Sequence, residues 1–265
     1  MVRARSETML VTRIDAGSRR RRPDELIVEE PMEIQLDGVV VSTTMRTPGH
    51  DYELAVGFCH TEGLLAGVPV VGVRYCATGS AVESEFNVVT VETAGRAPRA
   101  TARLGTTSSS CGLCGSTALE QLTDRLSPLP DGLPRAPIEA FAGIADRALA
   151  GQGLFQSTGA VHAAAAFDLD GAPTIIREDV GRHNAVDKVI GRLLLDGALP
   201  AHRLGLFVSG RASFEIVQKA WAAGFSTVVA VSAPTALAVR TARQAEMMLV
   251  GFIRGAGLNI YSPER

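Results

Sequence analysis

Hydrophobic and polar positions along this chain change their period part-way through, and the change divides the sequence in two. In the first part, short extended patterns dominate. Leu26–Leu36 and Val39–Arg46 read as two strands meeting at Asp37-Gly38, a dipeptide suited to a tight hairpin turn. In TPGHDYELAVGFCHTEGLL, Leu54, Ala55, Phe58 and Cys59 recur at helical spacing and Thr47 is available as a cap, which predicts an amphipathic helix. Val70–Cys76 and Phe86–Val91 return to strand character. Residues 25–105 therefore read as a β-rich subdomain with one helix.

Thr93 to Ser110 has no apolar periodicity and reads as a loop, after which STALEQLTDRL is helical. A Pro- and Gly-rich joint, SPLPDGLPRAP, precedes a second amphipathic helix, IEAFAGIADRALA. From Ala160 onward strands alternate with helices: VHAAAAFDL, a turn at Asp170-Gly171, TIIRED, the helix NAVDKVIGRLLLDG, LGLFVSG, a helix through FEIVQKAWAAG, STVVAVS, a helix through LAVRTARQA, and a closing MMLVGFIR–GAG–LNIYS hairpin. Such alternation predicts a layered α/β domain with a partly parallel sheet over 106–265.

Composition adds limits. The chain has 265 residues, 46% hydrophobic and 20% charged, with a net charge of -2, which suits a globular protein and suggests neither a nucleic-acid nor a membrane-surface partner. MVRARSETML lacks the apolar core of a signal peptide, and no apolar run approaches the ~18 residues that cross a bilayer, so a cytoplasmic location is expected. Residues 1–24 carry Arg19 to Arg22 and are expected to form a flexible basic arm. Of the 26 basic residues only Lys188 and Lys219 are lysines; the bias fits a GC-rich genome, and chance explains the two survivors as well as a need for a compact ammonium at those positions.

Candidate chemistry begins at TTSSSCGLCGSTALEQL, where Cys111 and Cys114 stand two residues apart behind a serine run. At the start of a helix a thiolate is stabilised by unpaired N–H groups and the helix dipole, so such a cysteine is readily ionised. Two cysteines are too few for a structural zinc site, and no second CxxC or HxxxH is present. His60-Thr61-Glu62 supplies the H-x-E of a zinc deaminase, but Ser110 replaces the proline expected before the cysteine pair. A thioredoxin-type redox pair sits on a short βα turn rather than at the end of a long loop. Metal binding, electron transfer and carriage of an atom on sulfur remain open on spacing alone, and the flanking loop favours the last. Cys59 and Cys76 read as core residues.

A second constellation is REDVGRHNAVDK, Arg177 to Lys188, at a strand end and a helix start. Arg177, Arg182, His183 and Lys188 offer donors to an anion there, and His183-Asn184 or Asp187 could cap the helix. VSGRASFE and VSAPTALAV each leave an apolar strand through a small-residue turn into a helix, so Ser209, Gly210, Arg211, Ser232 and Thr235 are candidates for phosphate or ribose contacts.

Taken together, TPGHDYELAVGFCHTEGLL, SSSCGLCG, REDVGRHNAVDKVIG, SGRASFEIVQKAWAAG, VSAPTALAV and GFIRGAGLNIYSPER resemble the formate dehydrogenase accessory sulfurtransferases (FdhD). The resemblance implies a cytidine-deaminase-like layered αβα domain beside the β-rich subdomain, and a homodimer. It implies a sulfur carrier that takes sulfur as a persulfide from a cysteine desulfurase and passes it to the bis-molybdopterin guanine dinucleotide molybdenum cofactor, bound as client, for formate dehydrogenase. Cys111 matches the persulfide cysteine, with Cys114 assisting or sharing the role. Phe252, Ile253, Arg254, Gly255, Ala256 and Gly257 match a cofactor-contacting segment; on pattern alone that stretch is a plain hairpin. The resemblance implies no metal bound by the protein itself. A zinc-dependent deaminase and a non-catalytic chaperone that only holds the cofactor are the alternative classes.

Overall fold

The structure, a computed structural model, describes residues 3–76, 80–82, 84–99, 126–255 and 257–263. Its first subdomain is a four-stranded sheet in the order β4-β3-β6-β5, from β3 (Glu30–Leu36), β4 (Val39–Arg46), β5 (Gly72–Tyr75) and β6 (Val88–Glu92). The β3–β4 turn falls at the expected dipeptide, with Asp37 at φ 48° and Gly38 at φ 82°, the doubly left-handed geometry of a two-residue hairpin. Along β3 the side chains alternate, and Met32, Ile34 and Leu36 are buried beneath helix α1 (Asp51–Thr61). Thr47 does not cap this helix. The N-cap is His50, in the left-handed region, and Thr47 is used elsewhere.

The second subdomain is a six-stranded mixed sheet in the order β12-β11-β10-β9-β7-β8. Its strands are β7 (His162–Phe167), β8 (Pro173–Asp179), β9 (Gly205–Val208), β10 (Thr227–Ala230), β11 (Met248–Arg254) and β12 (Gly257–Ser262). Strands β9, β10 and β11 are parallel, while β7 runs antiparallel to both β8 and β9. β9 and β10 are buried along their whole length, as strands covered on both faces must be. On one face lie α4 (Arg182–Leu195), α5 (Phe214–Ala222) and α6 (Ala236–Gln244). On the other, Phe141, Ile144 and Ala148 pack against Phe167, Phe207, Val229 and Val250. The expected helix IEAFAGIADRALA is broken at Gly143, φ 71°, into a 3-10 turn and the short α2 (Ile144–Ala150); α3 (Gly153–Thr158), too short to leave a periodic signal, follows it.

The described residues of the expected flexible arm, 3–24, are ordered differently from that expectation. β1 (Ser6–Asp15) and β2 (Ser18–Ile27) pair along their whole length into an antiparallel hairpin that is exposed on both faces. The pattern concealed it because a strand buried on neither face shows no alternation.

The two subdomains meet where α1 crosses α4, and two glycines set the distance. A Cβ on Gly57 would lie 1.9 Å from the carbonyl oxygen of Asp187, and one on Gly191 would lie 1.8 Å from that of Glu53. Backbone touches backbone there, so no side chain fits between. Gly57→Ala and Gly191→Ala are each expected to cost at least about 2 kcal/mol of stability by overpacking. A drop in the urea midpoint checks this, and a midpoint within error of the parent would show that the helices can separate without penalty.

Candidate functional site

Strand direction gathers the predicted donors on one edge of the large sheet. Because β8, β9, β10 and β11 run the same way and β7 runs against them, the carboxyl ends of four strands and the start of β7 share that edge. The segments leaving it are Asp179–Arg182, Ser209–Ser213, Ser232–Thr235 and Phe252–Gly255. Helices α4, α5 and α6 all begin there, so three helix N-termini point the same way, and those of α4 and α5 have no side-chain cap. α4 and α6 carry no acidic residue in their first turns, which leaves that positive potential uncancelled.

Arg182 opens α4, and its Nε is buried without a hydrogen-bond partner. The β9 turn lies beside it: a Cβ built on Gly210 would be in ordinary contact with both neighbours, 3.5 Å from His162 Nδ1 and 3.9 Å from Arg182 Cδ. His162, which the sequence did not single out, therefore joins the site; it reaches Gly210 only through the antiparallel β7–β9 pairing, which leaves no local signal. Burial first and then Arg182 lower its pKa. His183 Nε2 lies 3.4 Å from the hydroxyl of Ser213 and 3.8 Å from a Glu215 oxygen. Burial, reinforced by Arg182 and Lys219, draws His183 down to about 4, so at neutral pH it is an uncharged imidazole. It contributes hydrogen bonding, not positive charge.

The remaining candidates are spread around the same edge. Arg211 is exposed at the β9–α5 turn. Ser209 accepts the Ala163 N–H at 2.9 Å, tying β9 to β7. Ser232 donates its N–H to Gly210 and accepts from Phe252, which binds the three turns together. Thr235 caps α6 by accepting the Ala238 N–H at 3.1 Å. Phe252 stands 41% exposed with φ 54°, an uncommon backbone for an aromatic residue and one that turns its ring outward at a register shift in β11–β12. Ile253 is 1% exposed and belongs to the core, so of this segment it faces away from any ligand. Arg254 is exposed and Gly255 takes φ 56°, with Gly257 opening β12. Cys111, Cys114 and Ala256 lie outside the described residues.

Two expected donors are instead committed to the protein's interior. Lys188 has no exposed side-chain surface; its ammonium lies 2.7 Å from Asp179 and 3.0 Å from the carbonyl oxygen of Thr47. The sequence could not show this because Lys188 sits one turn beyond Asn184 on the buried side of α4. Arg177 grips the Glu53 carboxylate with Nε and Nη2. Burial would raise Glu53, but Arg177 outweighs it and holds the carboxyl at about 2. No side chain caps α4: the N-cap is Gly181, Asn184 bonds Met45 and Asp179, and Asp187 is buried on Lys219.

The H-x-E pair is likewise occupied. His60 Nε2 meets the carbonyl oxygen of Ala222 at 3.1 Å, and Glu62 lies 3.3 Å from Lys219. Both line a cavity of about 560 Å³ with Leu126, Leu194, Pro200 and Gln218, at the opposite end of α4 and α5 from the donor edge. Cys59 is fully buried, and burial raises its thiol to about 12, which makes it inert. Among the described residues, no three His, Cys, Asp or Glu side chains converge as metal ligands.

A donor-rich sheet edge alone would suit many anions; comparison with known proteins is more specific. The FdhD/NarQ family model matches residues 27–265. The chain belongs to the FdhD/NarQ family. Its relatives include a sulfur carrier protein FdhD from Nocardia farcinica, 47% identical over 95% of this chain and 91% of the relative. Another, from Streptomyces coelicolor, is 47% identical over 97% of this chain and 94% of the relative. A solved structure described as a formate dehydrogenase accessory protein from Desulfotalea psychrophila superposes with a TM-score of 0.76 at 23% identity, covering 98% of this chain and 99% of that one, so the whole fold is shared. The family match begins at residue 27 and leaves the β1–β2 hairpin outside it.

The neutral state of His183 has a measurable consequence. Its folded value of about 4 lies below the ordinary 6.5, so between those values the unfolded chain binds the extra proton. Stability is therefore full above the ordinary value and falls as pH drops through this window. His183→Gln is expected to flatten that part of the stability–pH curve in urea titrations; an unchanged slope would mean that the imidazole is solvated.

Proposed function

We propose that this protein is a sulfur carrier required for formate dehydrogenase activity, working in the cytoplasm as a homodimer. The observation that carries the reading is family membership across residues 27–265, with relatives named for sulfur carriage at 47% identity. Among the described residues no helix is long and apolar enough to cross a membrane, which agrees with work on a dissolved client. The mixed sheet with β7 reversed against its neighbours supports kinship with the cytidine-deaminase fold.

Sulfur is received on Cys111. The Cys111 thiolate attacks the outer sulfur of a persulfide on a cysteine desulfurase; a new S–S bond forms on Cys111, the donor's S–S bond breaks, and the donor cysteine leaves as a thiolate. The exchange needs no external oxidant or reductant. Cys114 assists or shares the sulfur. In the second transfer the sulfur passes to the molybdenum of the bis-molybdopterin guanine dinucleotide cofactor, the cargo, whose metal supplies the electron pair that returns Cys111 to a thiolate.

The donor edge is the place this reading gives to the cargo. Its anionic dinucleotide suits Arg182, Arg211 and the starts of α4, α5 and α6, and the unpaired Arg182 Nε is a donor waiting for an acceptor. Ser232 and the exposed Phe252 ring lie within the same group of turns, suited to ribose and base. His183, neutral and bonded toward Ser213, orients that hydroxyl without adding charge. Lys188 and Arg177 have no direct part; they hold the edge in place from behind.

Incubation with a cysteine desulfurase and cysteine should add one sulfur atom, about 32 Da by intact mass and removable by reductant. Cys111→Ala should abolish both the adduct and activation of formate dehydrogenase, and retained activation in that variant would sink the carrier assignment in favour of a chaperone that only holds the cofactor. Guanosine diphosphate should bind by calorimetry and lose about ten-fold in affinity, roughly 1.4 kcal/mol, in Arg182→Met. Equal affinity in parent and variant would move the cargo away from this edge.

A further inference from the structure

The β1–β2 hairpin has no part in sulfur carriage as read above, and its surface is unlike the rest of the chain. Ten-residue strands make it roughly 33 Å long. Its base is fixed: Val28 donates to the Arg5 carbonyl, Arg3 bonds Asn87 at 2.7 Å, and β2 packs on α3. Its outer half stands free. Register puts Leu10, Thr12 and Ile14 on one face with Pro23, Arg21 and Arg19 as their cross-strand partners. Leu10 and Ile14 are 64% and 66% exposed. The other face carries Val11, Arg13, Arg20 and Arg22, with Arg13 directly opposite Arg20. Like charges so paired oppose hairpin formation, and an isolated two-stranded ribbon is only marginally stable in water. A covering surface that is apolar in the middle and acidic around it would relieve both strains.

We propose that this hairpin is an assembly arm that docks on a second copy of this chain. The chain's own surface has the complementary character. Residues 28–265 hold 24 acidic against 19 basic side chains. Exposed carboxylates of Glu139, Asp146 and Asp170 surround α2, whose Leu149 is 40% exposed. Arg147 makes one unit of this region by donating to the carbonyls of Ala140, Ala142 and Gly171. Exposed leucine and isoleucine between the arginines favour a protein surface over a nucleic-acid backbone, which has no apolar groove floor to meet them. The arm deepens the homodimer of the preceding reading without depending on the sulfur chemistry.

Sedimentation equilibrium of the full chain is expected to give twice the 27.9 kDa chain mass. Arg19→Glu with Arg21→Glu, and separately Asp146→Arg with Asp170→Arg, should each weaken self-association at least ten-fold, with far-UV circular dichroism and the melting midpoint unchanged. Raised salt should weaken the parent dimer in the same direction. A parent chain that stays monomeric, or a dimer indifferent to either charge reversal, overturns the arm and leaves the hairpin to an acidic partner protein. Neither result touches the persulfide test, so failure of the arm and failure of the carrier reading are separately visible.

Discussion

Two buried ammonium groups hold the two halves of this molecule in register. Lys188 is shared between Asp179 of the large sheet and the Thr47 carbonyl of the small subdomain. Lys219 joins Asp187 to the Thr61 hydroxyl at the end of α1, with Glu62 alongside. Burial alone would depress Lys219, yet Asp187 and Glu62 outweigh it and keep it firmly protonated. Each nitrogen spends its hydrogens in divergent directions on acceptors from different segments, a geometry that a flat guanidinium cannot reproduce. In a chain that otherwise uses arginine almost everywhere, this accounts for its two lysines. Removing one partner would strand the other's charge in the interior, so the pairs work chiefly as locators.

The seam so fixed also sets the geometry of the donor edge. With α1 pressed against α4 at Gly57 and Gly191, α4 cannot slide, and the start of α4 holds Arg182 and His183 against the β9 turn. Thr47 adds to this by accepting the Val180 N–H, so the connection that leads into α4 is gripped from the small subdomain. The donor edge is therefore assembled by both subdomains although its side chains come from one. The cavity beside His60 and Glu62 lies at the far ends of the same helices, so the molecule presents a donor-rich end and a largely apolar end.

Much of this was legible in the pattern of residues. The strands of both sheets, the turn at Asp37-Gly38 and the four long helices announce themselves through period 2, period 3.6 and glycine placement, all local signals. The convergence of Ser209, Arg211, Ser232 and Thr235 on one edge also followed, because each closes a parallel strand. What stayed hidden depends on contacts distant in sequence. Arg177 looked like a free donor until Glu53, 124 residues away, was seen to take it. Thr47 looked like a cap but serves the other subdomain, and His162 gains its neighbours only through strand pairing. The Arg19–Arg22 run looked like a solvated tail because hydrogen bonding between two exposed strands leaves no mark on hydropathy. The cysteine pair was the reverse case: spacing and composition raised it at once, while the role proposed for it rests on resemblance and not on geometry, since it lies outside the described residues.

The concealment of both lysines reaches beyond folding. Acetyl groups, ubiquitin and amine-directed crosslinkers all seek an accessible ε-nitrogen, and here the side chains of Lys188 and Lys219 are 0% and 5% exposed. While the seam is closed such reagents find no lysine on the chain; once it opens, both become reactive together. Labelling at these two positions would thus report directly on separation of the subdomains.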